Sequence, residues 1–430
     1  MGLSNWTRYP KIANNYFTFK NLEELKKLFK ANRMYIPYGN GRSYSDCCLN
    51  EHIIYCKNYN YLLDFDKEKG EIQAQGGVLL SEVLEVIVPK GWFLKVTPGT
   101  KYITLGGAIA ADVHGKNHHI DGCFSEAVLE FKLLLPSGDV ICCKKGDELF
   151  HATCGGLGLT GIIIDARIQL KRIKSKNIKQ ITIKTRNFEE TLDVFEKFAN
   201  AAFSVAWMDC FSKGREKGRG IFMAGDFVDD GDLEYRSRPH LNIPFDLPSL
   251  ILNKFTIRVF NFLYYKKIRD EISEEVVDID KFFYPLDSIE NWNRIYGRRG
   301  FLQYQFILPK NKSYEGIEEI LWTIAKHKKT PFLAVLKLHG KENNNLLSFP
   351  LEGYSLALDF KIEKGIFKLM EELDKIVSKY GGRLNLYKDA RVSREMFENG
   401  YHKAKIFREV RKKYELYKYL QSRMSARLSI

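Results

Sequence analysis

Thr97-Pro-Gly-Thr-Lys-Tyr-Ile-Thr-Leu-Gly-Gly-Ala-Ile-Ala-Ala-Asp-Val-His-Gly-Lys-Asn-His-His119 joins a glycine turn and a short apolar segment to a run carrying three imidazoles and one ammonium. Glycines lack a Cβ, so Gly99, Gly106 and Gly107 let backbone N–H groups approach a bulky anion such as a pyrophosphate. A second glycine loop lies upstream, Tyr38-Gly39-Asn40-Gly41-Arg42-Ser43-Tyr44-Ser45-Asp46, entered from the apolar Met34-Tyr35-Ile36-Pro37, which reads as a strand. A third, Cys154 to Gly161, runs into the strand-like Ile162-Ile163-Ile164. None of the three has the Gly-x-Gly-x-x-Gly spacing with a downstream ribose-binding acid, and no Walker A pattern occurs, so a Rossmann or P-loop fold is disfavoured. Three separate glycine loops predict a long dinucleotide lying across several of them.

The rest of the chain is consistent with a folded protein of two domains. Its 430 residues exceed one typical core. With 45% hydrophobic and 13% aromatic residues the sequence is that of a folded protein. No apolar stretch approaches a membrane span, the first residues show no signal-peptide core, and the eight cysteines form neither a disulfide framework nor a zinc spacing. These features predict a cytoplasmic, reduced protein without a metal. The net charge of +14 concentrates in Lys403 to Lys413 and around Leu250 to Tyr265. No nucleic-acid recognition motif accompanies it. An anionic lipid surface, a phosphate-bearing substrate and a merely solvated lysine-rich surface all remain open.

Residues 1–175 alternate short β-rich runs with glycine turns and contain one helix signal, Asn21 to Phe29, with Asn21 as N-cap and acids in the first turn. Residues 176–382 mix strands such as Gln180 to Ile183 with amphipathic helices over Phe188 to Ala199 and Tyr314 to Lys328. Within this part, about 226–275 is irregular and then strongly apolar. There Ile251, Phe255, Val259 and Phe262 share one helical face, and Lys254, Arg258 and Asn261 share another. That pattern suits either an interfacial helix or a helix packed on the second domain.

Taken together, the loops resemble the FAD-binding domain of the vanillyl-alcohol oxidase/p-cresol methylhydroxylase flavoproteins, and within them the decaprenylphosphoryl-β-D-ribose 2′-oxidase family. The resemblance runs through Phe203 to Asp209, Phe283 to Asp287, Trp292 to Arg294, Gly300 to Phe306, Leu347 to Pro350, Gly381 to Leu384 and Lys388-Asp389. It implies an α+β fold: an FAD-binding domain over 1–175, an antiparallel-sheet substrate domain backed by helices over 176–382, mobile near 226–275, and a return of 383–430 to the FAD domain. Members with covalent FAD often carry a histidine where Arg42 stands, so the resemblance implies non-covalent FAD. It assigns the pyrophosphate to Gly39, Asn40, Gly41, Arg42 and Ser43, with Thr104, Leu105, Gly106 and Gly107 as the second half of the cradle and Gly99 in the adjoining turn. Ala111, Asp112, Val113 and His114 would run along the isoalloxazine, with Ile163 and Asn385 as further contacts.

The chemistry implied is oxidation of a secondary alcohol on a lipid-linked pentose, the first half of an epimerisation completed by a separate short-chain reductase. Peripheral contact at the inner face of the membrane would follow. Lys388 matches a lysine beside the flavin; it would polarise the hydroxyl as an ammonium or, if burial lowers its pKa, act as the base. Tyr44 is the other candidate proton acceptor. His114, Lys116, Ser204, Tyr284 and Lys337 match pocket positions, two lysines suiting a phosphate linkage. Gln303 and Gln305 alternate along a strand, so both amides point to one face, toward sugar hydroxyls. His118 and His119 suit backbone bonding. The sequence departs from the family at Ala357, where mycobacterial members carry a flavin-facing cysteine, at Ser45 for a usual glycine and at Leu157 for an asparagine. A soluble sugar-alcohol or aldonolactone oxidase and a non-catalytic lipid-binding scaffold are the competing readings.

Overall fold

The computed structural model describes residues 2–31, 33–212, 214–236, 241–248 and 250–430. Three parallel strands, Asn15–Phe17, His52–Tyr55 and Tyr35–Tyr38, form a small sheet with His52–Tyr55 in the middle. A second sheet of six antiparallel strands is built around the long Ile162–Arg172. This strand pairs with Glu71–Gln75 on one side and Val128–Leu134 on the other, and Trp92–Leu94 joins its far end. The Asn21 side chain accepts from Glu24 N–H and starts the helix Leu22–Phe29, whose Leu25 and Phe29 are buried.

The third sheet has eight antiparallel strands in the order Ile272–Asp278, Asn177–Thr185, Gly220–Phe227, Phe203–Met208, Ala334–His339, Gly353–Lys361, Phe301–Pro309 and Arg383–Leu384. Helices Phe188–Lys197, Ser313–Lys326 and Ile366–Lys379 cover one face. Strand alternation sorts the side chains. Leu336, Leu356, Leu358, Tyr304 and Phe306 go to the helix-covered face and are buried. Gln303, Gln305, Lys337, Ser355, Ala357 and Asp359 go to the other, with Gln303 opposite Asp359, Gln305 opposite Ala357 and Lys337 opposite Ser355. Such a polar row in the middle strands of a large sheet is costly unless it faces other polar groups or a ligand.

Beyond Leu384 the chain leaves this sheet and reaches the first one. Leu420 bridges Tyr35, Gln421 N–H donates to Tyr35 O at 2.9 Å, and the Arg427 guanidinium grips the buried Asp46.

One expectation needs correction. The apolar 250s do form a helix, Lys254–Lys267, capped by Asn253, but Ile251 precedes it and Asn261 is one of its two buried residues. Asn261 Nδ2 donates to the buried Asp209 Oδ1 at 2.9 Å while its own Oδ1 is buried without a partner, so this amide lies inward and not beside the exposed Lys254 and Arg258. Phe255, Val259 and Phe262 are exposed.

Candidate active site

The Gly39–Ser45 loop and the Thr97–His119 segment meet. Asn40 Nδ2 donates to Tyr102 O at 2.7 Å, and a Cβ on Gly39 would lie 2.3 Å from Thr104 Oγ1, so only glycine allows this approach. Gly41 has φ +64°, and a Cβ there would strike the Tyr38 hydroxyl at 2.0 Å. Thr104 Oγ1 accepts from Gly107 N–H at 3.1 Å, Gly106 N–H donates to Gly76 O at 2.8 Å, and Gly76 in turn lies against Ile163 O. Gly107 remains exposed in this cradle. Gly99 is different: a Cβ there would meet nothing within 4 Å. The Arg42 guanidinium lies 3.9 Å over the Trp6 ring and 5.6 Å from the Tyr102 ring, and no ion pair among the described residues engages it. Cramped glycines beside a largely buried, unpaired guanidinium suit a pyrophosphate.

The C-terminal return supplies the other wall. Tyr44 N–H donates to Tyr387 O at 3.0 Å, and Lys388 Nζ sits 3.7 Å over the Tyr44 ring. Asn385 N–H donates to Gln305 O at 2.9 Å and its Nδ2 to Gln305 Oε1 at 3.0 Å. The Gln305 amide lies 3.4 Å from His114 Nε2. Flavin-loop, sheet and C-terminal residues thus form one wall.

Three ammonium groups converge there. Burial pushes Lys388 down to about 8, with Asp359 opposing and Lys337 adding to the effect. Burial likewise pushes Lys337 down to about 8, and burial plus Lys337 pushes Lys116 down to about 7. Lys116 Nζ donates to Phe282 O and lies 4.2 Å from the Phe282 ring centroid. No carboxylate forms an ion pair with Lys388, Lys337 or Lys116 among the described residues. All three are partly accessible. Burial raises the Tyr44 phenol well above its usual range and Asp359 adds to this, so Tyr44 stays protonated.

Asp359 is the residue missed in the sequence. Gln303 Nε2 donates to its Oδ1 at 2.6 Å and the Tyr296 hydroxyl lies 3.5 Å from Oδ2. Burial pushes it up to about 7, against the pull of the Gln303 amide and the Lys388 ammonium. The signal was its alternation with Ser355 and Ala357 in an otherwise apolar strand. His339, two residues from Lys337, was also missed; its ring lies 4.7 Å from His114 and 4.8 Å from His118, and burial holds all three imidazoles below their usual range. His118 and His119 bond main chain, at Gly340 N and Ala201 O.

Several expected contacts are differently engaged. The Asp112 carboxylate accepts from Ser125 N–H, Asn343, Asn345 and Ser348, which turns it into the fold and leaves its backbone beside Ala111 and Val113. The Tyr284 hydroxyl lies 2.6 Å from Thr97 Oγ1. Ser204 pairs with Ala224 and shares the helix-covered face with Ala206 and Phe222; its Oγ is buried without a partner. The structure brings only its backbone to the site, where Ser204 N–H donates to Lys116 O. Gln303 gives one amide N–H to Asp359, which ties its side chain to that carboxyl. Leu157 adopts φ +62°, a conformation in which the family's asparagine is more at ease.

Comparison with known proteins agrees with this geometry. Residues 14–144 match the family described as FAD binding domain. The chain is 33% identical to the decaprenylphosphoryl-beta-D-ribose oxidase of Mycolicibacterium smegmatis, covering 92% of this chain and 89% of the relative. It is 28% identical to a Streptomyces coelicolor protein described as an uncharacterized protein in the mprA 5′ region, covering 78% of this chain and 95% of that one. A D-arabinono-1,4-lactone oxidase of Candida glabrata is 26% identical over 47% of this chain and 40% of its own length. Fold and site therefore define an FAD-dependent oxidoreductase of the vanillyl-alcohol oxidase type. Within that class the chain belongs to the decaprenylphosphoryl-β-D-ribose oxidase family.

Proposed function

We propose that this protein oxidises a secondary alcohol of a pentose carried on a polyprenyl phosphate, giving a keto sugar that a separate short-chain reductase returns as the epimer, in cell-envelope glycan synthesis. The units 1–175 and 383–430 hold the flavin, and 176–382 binds the substrate. The observation that carries this reading is the trio Lys116, Lys337 and Lys388, interior ammonium groups without carboxylate partners at bonding distance. A site of uncompensated positive charge favours an anionic ligand, and a sugar phosphate supplies one. The resemblance to an oxidase whose name specifies a decaprenylphosphoryl ribose points the same way.

Bound FAD supplies the acceptor for the hydride. The Gly39–Ser43 loop, Thr104 to Gly107 and Arg42 would hold its pyrophosphate. Lys116 and Lys337 would orient the sugar phosphate, and Gln305, braced by Asn385, would accept or donate at a sugar hydroxyl. With its pKa near 8, Lys388 is neutral often enough to take the hydroxyl proton, whereas Tyr44 is held as a phenol and carries the lysine on its ring.

The test is product analysis: incubation with a polyprenyl-phosphoryl ribose should convert it to a species lighter by two hydrogens that borohydride restores, and unchanged substrate under flavin turnover conditions would overturn the reading. A second expectation concerns the cofactor. Arginine offers no covalent link to flavin, so acid or heat denaturation should release all yellow colour as free FAD. Colour precipitating with the protein would contradict it.

A further inference from the structure

The helix Lys254–Lys267 is buried along a single stripe. Ile257 and Asn261 lie inward, and Tyr264 sets its ring 4.9 Å from Trp207. Much of the remaining circumference carries exposed apolar side chains: Phe255 keeps 74% of its surface, Leu263 60% and Phe262 47%, with Val259 and Phe260 also exposed. Leu250 and Ile251, in the turn before the helix, extend the patch. Water-facing helices normally show polar residues on that side, and an apolar patch of this kind marks an interaction surface.

Charge says what fits there. The helix carries Lys254, Arg258, Lys266 and Lys267 and no acid. None of the four enters an ion pair among the described residues; Arg258 lies 5.4 Å from the Phe211 ring and Lys266 4.6 Å from the Phe262 ring. In the late basic run two of the cations are paired, Arg408 with Glu398 and Lys413 with Glu148. Exposed aromatic and aliphatic side chains among unpaired cations are the composition of a helix that lies in a lipid headgroup layer.

The inner stripe leads to the site. Leu252 and Ile257 belong to one cluster with Trp292, Tyr296 and Phe301, and Tyr44 packs against that cluster. Tyr44 carries Lys388 on its ring. The helix is therefore joined to the candidate catalytic groups through continuous side-chain packing.

We propose that the outer face of residues 250–267 docks on an anionic lipid bilayer and brings the mouth of the active site to the headgroup layer, where a lipid-linked sugar can enter. The inference rests on the lipid-linked reading of the substrate, but its test reads attachment alone. Holoprotein is floated with phosphatidylcholine vesicles, with and without phosphatidylglycerol, at low and high salt. Wild type should float with the anionic vesicles, and less at high salt, because charge attraction is screened within about 8–10 Å at physiological ionic strength. Phe255→Glu/Phe262→Glu should float at least about tenfold less, since two rings no longer leave water, and Lys254→Glu/Arg258→Glu should lose the preference for anionic vesicles. Unchanged bound FAD and thermal midpoint would show that the variants fold, as expected for exposed positions. Both double variants should still reduce their flavin with detergent-dispersed substrate, which separates loss of docking from failure of the substrate reading. Wild type that stays unbound, a phenylalanine variant that floats equally well, or a wild-type dimer that the variant converts to monomer without either floating would overturn the proposal.

Discussion

Lys388→Ala is expected to give a yellow, folded protein whose flavin is reduced about 10²–10³-fold more slowly than wild type, the usual loss for one positioned proton-transfer group. The side chain touches the Tyr44 ring and, among the described residues, no carboxylate within ion-pair distance, so truncation breaks no salt bridge seen there. The pH profile follows from the groups around it. Burial and Lys337 favour the neutral amine, Asp359 opposes them, and the balance lies at about 8. Below that value the amine is mostly protonated and cannot accept the hydroxyl proton. Wild-type flavin reduction should therefore climb with pH and level off above about 8, and the alanine variant should be slow and flat across the same range. Stopped-flow reduction without oxygen measures both. A variant with bound FAD and near-normal rate would remove Lys388 from the mechanism.

The second large effect concerns stability. Arg391 binds Asp374 with both terminal nitrogens, at 2.6 and 2.8 Å, and Asp389 at 2.9 Å, and all three side chains are largely buried. Asp389, next to Lys388, also accepts from Arg391 N–H and Val392 N–H, so this cluster fixes the turn that presents the lysine. Arg391→Leu leaves two buried carboxylates facing each other, and removal of one partner from a buried ion pair costs about 3–5 kcal/mol. The urea midpoint should fall accordingly. The sign with pH is definite. Burial already raises Asp374 above its ordinary value against the pull of Arg391, and without the guanidinium it rises further, so the folded state holds an extra proton and its stability falls as pH rises through that interval. The deficit should be largest near neutral pH and shrink in mild acid. A pH-independent deficit would mean that lost packing, and not charge, dominates.

What the sequence made legible was local. Gly39 and Gly41 carry their meaning in residue type, because only a missing Cβ permits the contacts they make, and Thr104 carries its own in the hydroxyl that caps the next helix. Asn21 announced its helix by capping chemistry. What stayed hidden depended on register and partners. Ser204 sits in a strand whose face is set by pairing with Ala224, and a one-residue change of register reverses the face. Asp359 and His339 look like ordinary strand residues until the sheet brings them beside Lys388 and His114. The apolar face of residues 254–267 was readable, but not that it points outward; that follows from Asn261 finding Asp209.

The central claim is that interior lysines and a flavin cradle together oxidise a lipid-linked pentose. Anaerobic titration of the yellow protein with a panel of sugars tests it most directly. Polyprenyl-phosphoryl ribose should bleach the flavin, while free pentoses, sugar alcohols and aldonolactones at equal concentration should leave it oxidised. Bleaching by a soluble aldonolactone with none by the lipid-linked sugar would contradict the account.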